Sequence, residues 1–149
     1  NADVIVFEHL DKTGRVRGSK KQRIKLWRSQ EIQPIVANRA HRLGMRISRI
    51  CAWGTSALAY DGSGRVLRGK DAGFNTFEIC IFPNGKVYNC DLSASYNIGA
   101  RYFIREILKS LDENSRLRIE AKIPQCSKRS TCTFSTLINL NAELMPMAA

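Results

Sequence analysis

Two carboxylates stand where the hydropathy pattern changes. Glu8 closes the apolar run Val4, Ile5, Val6, Phe7, and Asp91 opens a long amphipathic stretch. Ionised carboxylates are hard oxygen donors suited to Mg²⁺ and similar cations, and ligands carried by a strand end and a helix start can converge beside one sheet edge. Each residue also has a plainer reading: Glu8 as an exposed acid after a strand, Asp91 as an N-cap worth ~1 kcal/mol. His9 follows Glu8, but strand alternation turns it to the opposite face unless the strand has already ended. His41 reads as a surface or packing residue. The five cysteines (Cys51, Cys80, Cys90, Cys126, Cys132) contain no C-x-x-C pair, so reduced, mostly buried thiols of a cytoplasmic protein are expected.

Charge is the second signal. The 149 residues carry 24 Lys plus Arg against 13 Asp plus Glu, a formal net charge of +11, which suits a polyanionic partner. Much of the excess is concentrated between Lys12 and Arg49, where Lys20, Lys21, Arg23, Lys25, Arg28, Arg39 and Arg42 are candidates for contact with nucleic-acid phosphates. The alternative is a merely solvated helix face. No apolar run approaches the ~18 residues of a membrane-spanning helix, and no signal peptide opens the sequence. Membrane attachment is therefore not expected.

These residues must be positioned by a small set of elements. The run from Val4 reads as a strand buried on both faces that delivers polar residues at its carboxyl end. Residues 11–20 read as a polar loop. Ile24, Trp27, Ile32, Ile35, Val36, Ala40 and Leu43 recur at helical spacing, with Pro34 kinking that helix or starting a second one and Gly44 stopping it. A second strand over Arg46–Ala52 completes a strand–helix–strand unit and points to α/β architecture. From Gly54 to Gly73 the composition turns to Gly, Ser, Asp and Arg, with Asp61 to Gly64 a turn signal. Asn84 and Gly85 suggest a hairpin with a type I′ turn. After Asp91, Tyr96, Ala100, Phe103, Ile104, Ile107, Leu108 and Leu111 form one stripe, with Arg101, Arg105 and Lys109 on the other side. A strand over 117–123 and a tail without readable function close the sequence.

The strings V-I-V-F-E-H-L (4–10), A-N-R-A-H-R-L-G (37–44), G-T-S (54–56), N-G-K-V-Y-N-C-D (84–91) and D-L-S-A-S-Y-N-I-G-A-R-Y-F (91–103), with the Trp27 helix, are similar in kind and order to the transposon-encoded OrfB (TnpB) family of RuvC-like nucleases, which shares ancestry with type V CRISPR effectors. The resemblance spans residues 4–110. It implies a partial RNase H-like (RuvC-like) α/β domain over 3–54 and 86–112, an insertion over 55–85 and a tail over 113–149. It implies that Glu8 and Asp91 are catalytic metal ligands for Mg²⁺ or Mn²⁺, that Arg101 contacts phosphate, and that DNA and a guide RNA are partners. The acid of the family's first strand has no match from Asp3 onward, so an upstream part of the same protein is expected to supply it. The family's four zinc-ribbon cysteines fall here on Ala59, Gly62, Ile81 and Asn84, none of which binds zinc. A metal-free hairpin insert, held by Phe77, Ile79, Ile81 and Phe82, is therefore expected. The competing reading is a non-catalytic nucleic-acid-binding module on the same scaffold.

Overall fold

The computed structural model describes residues 2–9 and 29–145. The elements in chain order are β1 (Val4–His9), α1 (Ser29–Arg42), β2 (Arg46–Cys51), β3 (Leu67–Arg68), β4 (Ile79–Ile81), β5 (Val87–Asn89), α2 (Cys90–Ser110), α3 (Glu113–Lys122) and α4 (Phe134–Leu144), with 3₁₀ turns at Gly69–Ala72 and Pro124–Ser127. This is a mixed α/β chain with small sheets. No helix among the described residues is long and apolar enough to cross a membrane. Two compact units meet in sequence between Ile50 and Cys51.

In the first unit β1 and β2 form a two-stranded sheet. The Arg46 N–H donates to the Asp3 carbonyl at 2.9 Å, so the two strand beginnings lie side by side, as in a parallel pair joined by a helical crossover. Pro34 lies inside α1. The helix stops where Gly44 takes φ 74°, with Met45 N–H donating to Ala40 O and Gly44 N–H to His41 O. That pair of bonds is a Schellman ending, available to glycine because it lacks a Cβ. Of the apolar stripe read from sequence, Ala40 is buried while Ile32, Ile35 and Leu43 are largely exposed.

The second unit has two cores. The larger gathers Ala100 and Ile104 of α2, Ile119 and Ile123 at the end of α3, Cys126 and Cys132 of the following loop, and Leu140 of α4. Residues 113–145 thus complete the core of α2. The strand expected over 117–123 is helix instead: Asp112 caps α3 by accepting from the Ser115 N–H at 2.9 Å. Thr133 and Thr136 form a capping box at the start of α4.

The smaller core holds Ala59, Val66, Cys80, Phe82 and Cys90, flanked by Tyr60 and Tyr88, behind the antiparallel sheet β3-β4-β5. Cys80 pairs with Tyr88, while Ile81 pairs with both Leu67 and Val87. The inward phase therefore belongs to Cys80, and the expectation that Phe77 and Ile79 hold the insert is corrected: Phe77 is 69% exposed and Ile79 faces outward with it. The hairpin turn also differs in type. The Gly85 N–H donates to Phe82 O and the Phe82 N–H to Lys86 O, and Gly85 (φ 83°) is in the left-handed region while Asn84 is not. A type I′ turn needs positive φ at both residues. Pro83 at the first corner with Gly85 as a bulge gives the three-residue loop instead.

Candidate functional site

Asp91 lies in the first turn of α2, and the local sequence offers two capping residues, Asn89 and Asp91. Asn89 takes the cap. Its backbone is extended (φ −77°, ψ 126°), and its side-chain oxygen accepts the Leu92 N–H at 2.9 Å. The expectation that Asp91 is the N-cap is thus corrected. Its carboxylate is exposed, with no hydrogen bond or ion pair among the described residues. Cys90 between them is buried, and its N–H donates to Glu78 O at 2.7 Å. The strand-to-helix junction is therefore pinned from both the backbone and the side chain.

One turn further on, Asn97 is fully buried. Its amide donates to Thr55 O at 2.9 Å and to Leu58 O at 2.8 Å, and its carbonyl accepts the Phe134 N–H at 3.1 Å. The G-T-S segment, the start of α2 and the start of α4 are joined through this one side chain. Thr55 is itself buried and donates to Ala52 O at 3.0 Å. The buried line Ser93, Asn97, Ala100, Ile104 has helical spacing. Phasing the helix on Ala100 and Ile104 would have marked Asn97 as an inward polar residue from sequence.

Arg101 was expected on the solvated side, reaching phosphate. It is 4% exposed. Nε donates to Cys132 O at 3.0 Å, Nη1 to Cys51 O at 2.8 Å and Trp53 O at 2.7 Å, and Nη2 to Ser130 O at 2.7 Å. A guanidinium presents five donors in a rigid fork, and here the fork ties two loops to α2. The phosphate-contact expectation is corrected: these donors are turned inward and spent on carbonyls.

Of the four positions aligned with zinc-ribbon ligands, Ala59, Gly62 and Asn84 lie at two turns and Ile81 ends β4. Ala59 is fully buried, and Gly62 (φ 80°) leaves so little room that a Cβ there would come within 3.0 Å of Ser135. Asn84 Nδ2 donates to Asp61 Oδ2 at 3.0 Å. Lys86 Nζ donates to the Tyr60 hydroxyl at 2.7 Å and sits 4.9 Å from the Tyr60 ring centroid and 4.7 Å from that of Tyr88. Hydrogen bonds and cation–π contacts thus join the two turns. Partial burial alone would raise the Asp61 carboxyl, but the hydrogen bonds from Ser63 and Asn84 and the nearby Lys86 charge together hold it below the usual carboxylate range. The cysteines are free. Burial, followed by the neighbouring Cys90, pushes the Cys80 thiol up to about 12, and burial with Cys132 nearby pushes Cys126 up to about 11.

In the first unit, Glu8 is the penultimate residue of β1 and partly buried. Its backbone carbonyl accepts from Gln33 Nε2 of α1 at 3.2 Å. His9 ends the strand and is exposed. Arg39 and Arg42 are exposed on α1 and, with Ile35, Asn38 and Leu43, line a cavity of about 450 Å³. Lys20, Lys21, Arg23, Lys25 and Arg28, with Trp27, lie outside the described residues. Among the described residues, no group of three or more His, Cys, Asp or Glu could hold a metal ion. Glu8 belongs to the first unit and Asp91 to the second. Asp91 is a single open carboxylate on a rigid helix start, one oxygen donor where a hard divalent cation takes six or more.

No protein-family model matches the chain, no curated protein matches it in sequence, and no solved structure matches its fold.

Proposed function

We propose that this chain is part of a RuvC-like, metal-dependent DNA endonuclease of the transposon-associated, RNA-guided type, acting in the cytoplasm on nucleoid DNA. Glu8 and Asp91 are its acidic metal ligands. The observation that carries this reading is the open Asp91 carboxylate, left without a capping role by Asn89. An acid in the first turn of a pinned helix complements the helix dipole, and here, exposed and without a partner among the described residues, it keeps both oxygens open to a ligand.

Mg²⁺ or Mn²⁺, when bound, supplies the activation of water and the neutralisation of charge on the phosphoryl oxygens that phosphodiester hydrolysis needs. The chain's own residues contribute the oxygen ligands and the backbone grip. Arg39 and Arg42, exposed on α1, meet phosphates without reading sequence, and base pairing with a guide RNA selects the target. The buried tie through Asn97 holds the helix start rigid relative to the G-T-S loop.

The test uses the full-length protein with Mg²⁺ or Mn²⁺ on single- and double-stranded DNA. Metal-dependent cleavage is expected, and Glu8→Ala and Asp91→Ala should each abolish it. Cleavage that survives both changes overturns the assignment. Salt-dependent binding with no cleavage by the metal-loaded wild type would transfer the chain to the non-catalytic binding class.

A further inference from the structure

An antiparallel sheet that packs one face on a core usually turns polar side chains outward from the other. The sheet β3-β4-β5 departs from that rule. Its inward side closes the small core through Cys80, yet its outward positions are apolar as well. Ile81 pairs with Leu67 on one side and Val87 on the other, which sets three branched side chains in a row across all three strands. Leu67 is 52% exposed and Val87 58%. Ile79 stands next in the same phase, also exposed, and Phe77 lies beyond it. The Phe77 ring is held in place: it rests so closely on the Gly69 backbone that a Cβ at Gly69 would come within 2.5 Å of it. An exposed aromatic side chain that is already fixed loses little freedom when a partner covers it.

Charge separates the kinds of partner. The whole chain carries +11, but within residues 65–91 the cations Arg65, Arg68, Lys70 and Lys86 are nearly matched by Asp71, Glu78 and Asp91. Two of those cations are engaged inside the unit, Arg68 donating to Ser56 Oγ at 3.2 Å and Lys86 to the Tyr60 hydroxyl at 2.7 Å. This face therefore offers little to phosphates, and a second copy of a basic chain meets little repulsion there. The remaining charges are also divided between the two ends of the sheet. Arg65 precedes Leu67 by two residues, at the end level with the hairpin turn. Asp71 and Glu78, with Lys70 beside them, lie at the opposite end, where the Cys90 N–H meets Glu78 O.

We propose that the outer face of β3-β4-β5 is a self-association surface, on which two copies of this chain pack sheet against sheet with Phe77 as the anchor. A two-fold axis lying between the sheets and across the strands joins the apolar rows at the centre. It also sets Arg65 of each copy over the Asp71 and Glu78 end of the other, as a self-complementary interface requires. The pairing is independent of whether the chain cleaves nucleic acid.

The test follows the mass of the full chain by analytical ultracentrifugation as its concentration is raised. A face of three short strands should give a dimer in the micromolar range. Phe77→Ala should weaken it about thirtyfold and Val87→Gln about tenfold. Val87 points outward from the sheet, so Val87→Gln carries the test if Phe77→Ala does not fold. Arg65→Glu and Glu78→Arg should each weaken association on the order of tenfold, because each sets like charges together at both ends of the interface. A mixture of these two variants should form a heterodimer about as tight as the wild-type dimer. A chain that stays monomeric at high micromolar concentration overturns the proposal, as does a dimer that Phe77→Ala and Val87→Gln leave intact. Charge variants that associate no better mixed than alone overturn the two-fold pairing on which it stands. Loss of single-stranded DNA binding in Phe77→Ala and Val87→Gln, with the oligomeric state unchanged, would assign the face to nucleic acid and overturn it too.

Discussion

Replacing Asn97 by Ala probes the polar centre of the second unit. The side chain is fully buried and makes three hydrogen bonds, to Thr55 O at 2.9 Å, Leu58 O at 2.8 Å and from Phe134 N at 3.1 Å. Truncation removes all three, each worth about 0.5–1.5 kcal/mol net, and leaves buried backbone groups whose desolvation is no longer compensated. The sum is a loss of about 3–5 kcal/mol, in the range reserved for broken buried networks. For a unit of about 100 residues that lowers the melting temperature by roughly 15–25 °C. Asn97→Asp keeps the volume but sets an oxygen against the Thr55 and Leu58 carbonyls, so it should be at least as damaging. Urea denaturation read at constant slope gives the free energy, and hydrogen exchange at the Phe134 amide reports the lost acceptor directly. A loss below about 1 kcal/mol with Phe134 protection unchanged would refute the reasoning, because it would mean that water or a neighbour replaces the amide at little cost.

Arg101→Lys should not rescue Arg101→Ala: one ammonium with three donors cannot span the carbonyls of Cys51, Trp53, Ser130 and Cys132, and both variants should lose about 2–4 kcal/mol in thermal or urea unfolding. The Asp61 carboxyl is held below its usual value in the folded chain, so its contribution is present above the unfolded pKa of about 4 and is lost as pH falls through the lower folded value. The stability difference between wild type and Asp61→Asn should therefore shrink on acidification below about pH 4, and a difference that grows there would contradict the assignment. Thiol titration at pH 8 in the native protein should find partly exposed Cys51 reacting first. Cys80 and Cys126, at about 12 and about 11, should react only on unfolding, and rapid modification of all five would show that the two cores open readily.

Local signals in the sequence carried much of the fold. The run at Val4, the Gly44 stop, the strand from Arg46, the Asn84-Gly85 hairpin and the helix after Asp91 each rest on neighbouring residues, because strand alternation, glycine conformation and helical period are properties of short segments. The errors arose where a face had to be assigned. Phe77 and Ile79 were expected inside by hydropathy, yet the pairing of Cys80 with Tyr88 turns the opposite phase inward. Helix α3 was expected as a strand because Leu117, Ile119 and Ile123 suit either period. The Asp112 cap and the packing of Ile119 and Ile123 on α2 select the helix.

The candidate site divides along the same line. Sequence alone fixed which residues have suitable chemistry: acids at a strand end and a helix start, cations clustered in the first third, and thiols without metal-ligand spacing. Tertiary structure alone decided what those groups do with their bonding capacity. It gave the helix cap to Asn89 and left the Asp91 carboxylate open, turned Arg101 from a surface cation into an internal tie, and made Asn97 the link between three distant segments. The physical reason is that a side chain's type sets how many hydrogen bonds and charges it can offer, whereas only the surrounding backbone determines which partners claim them.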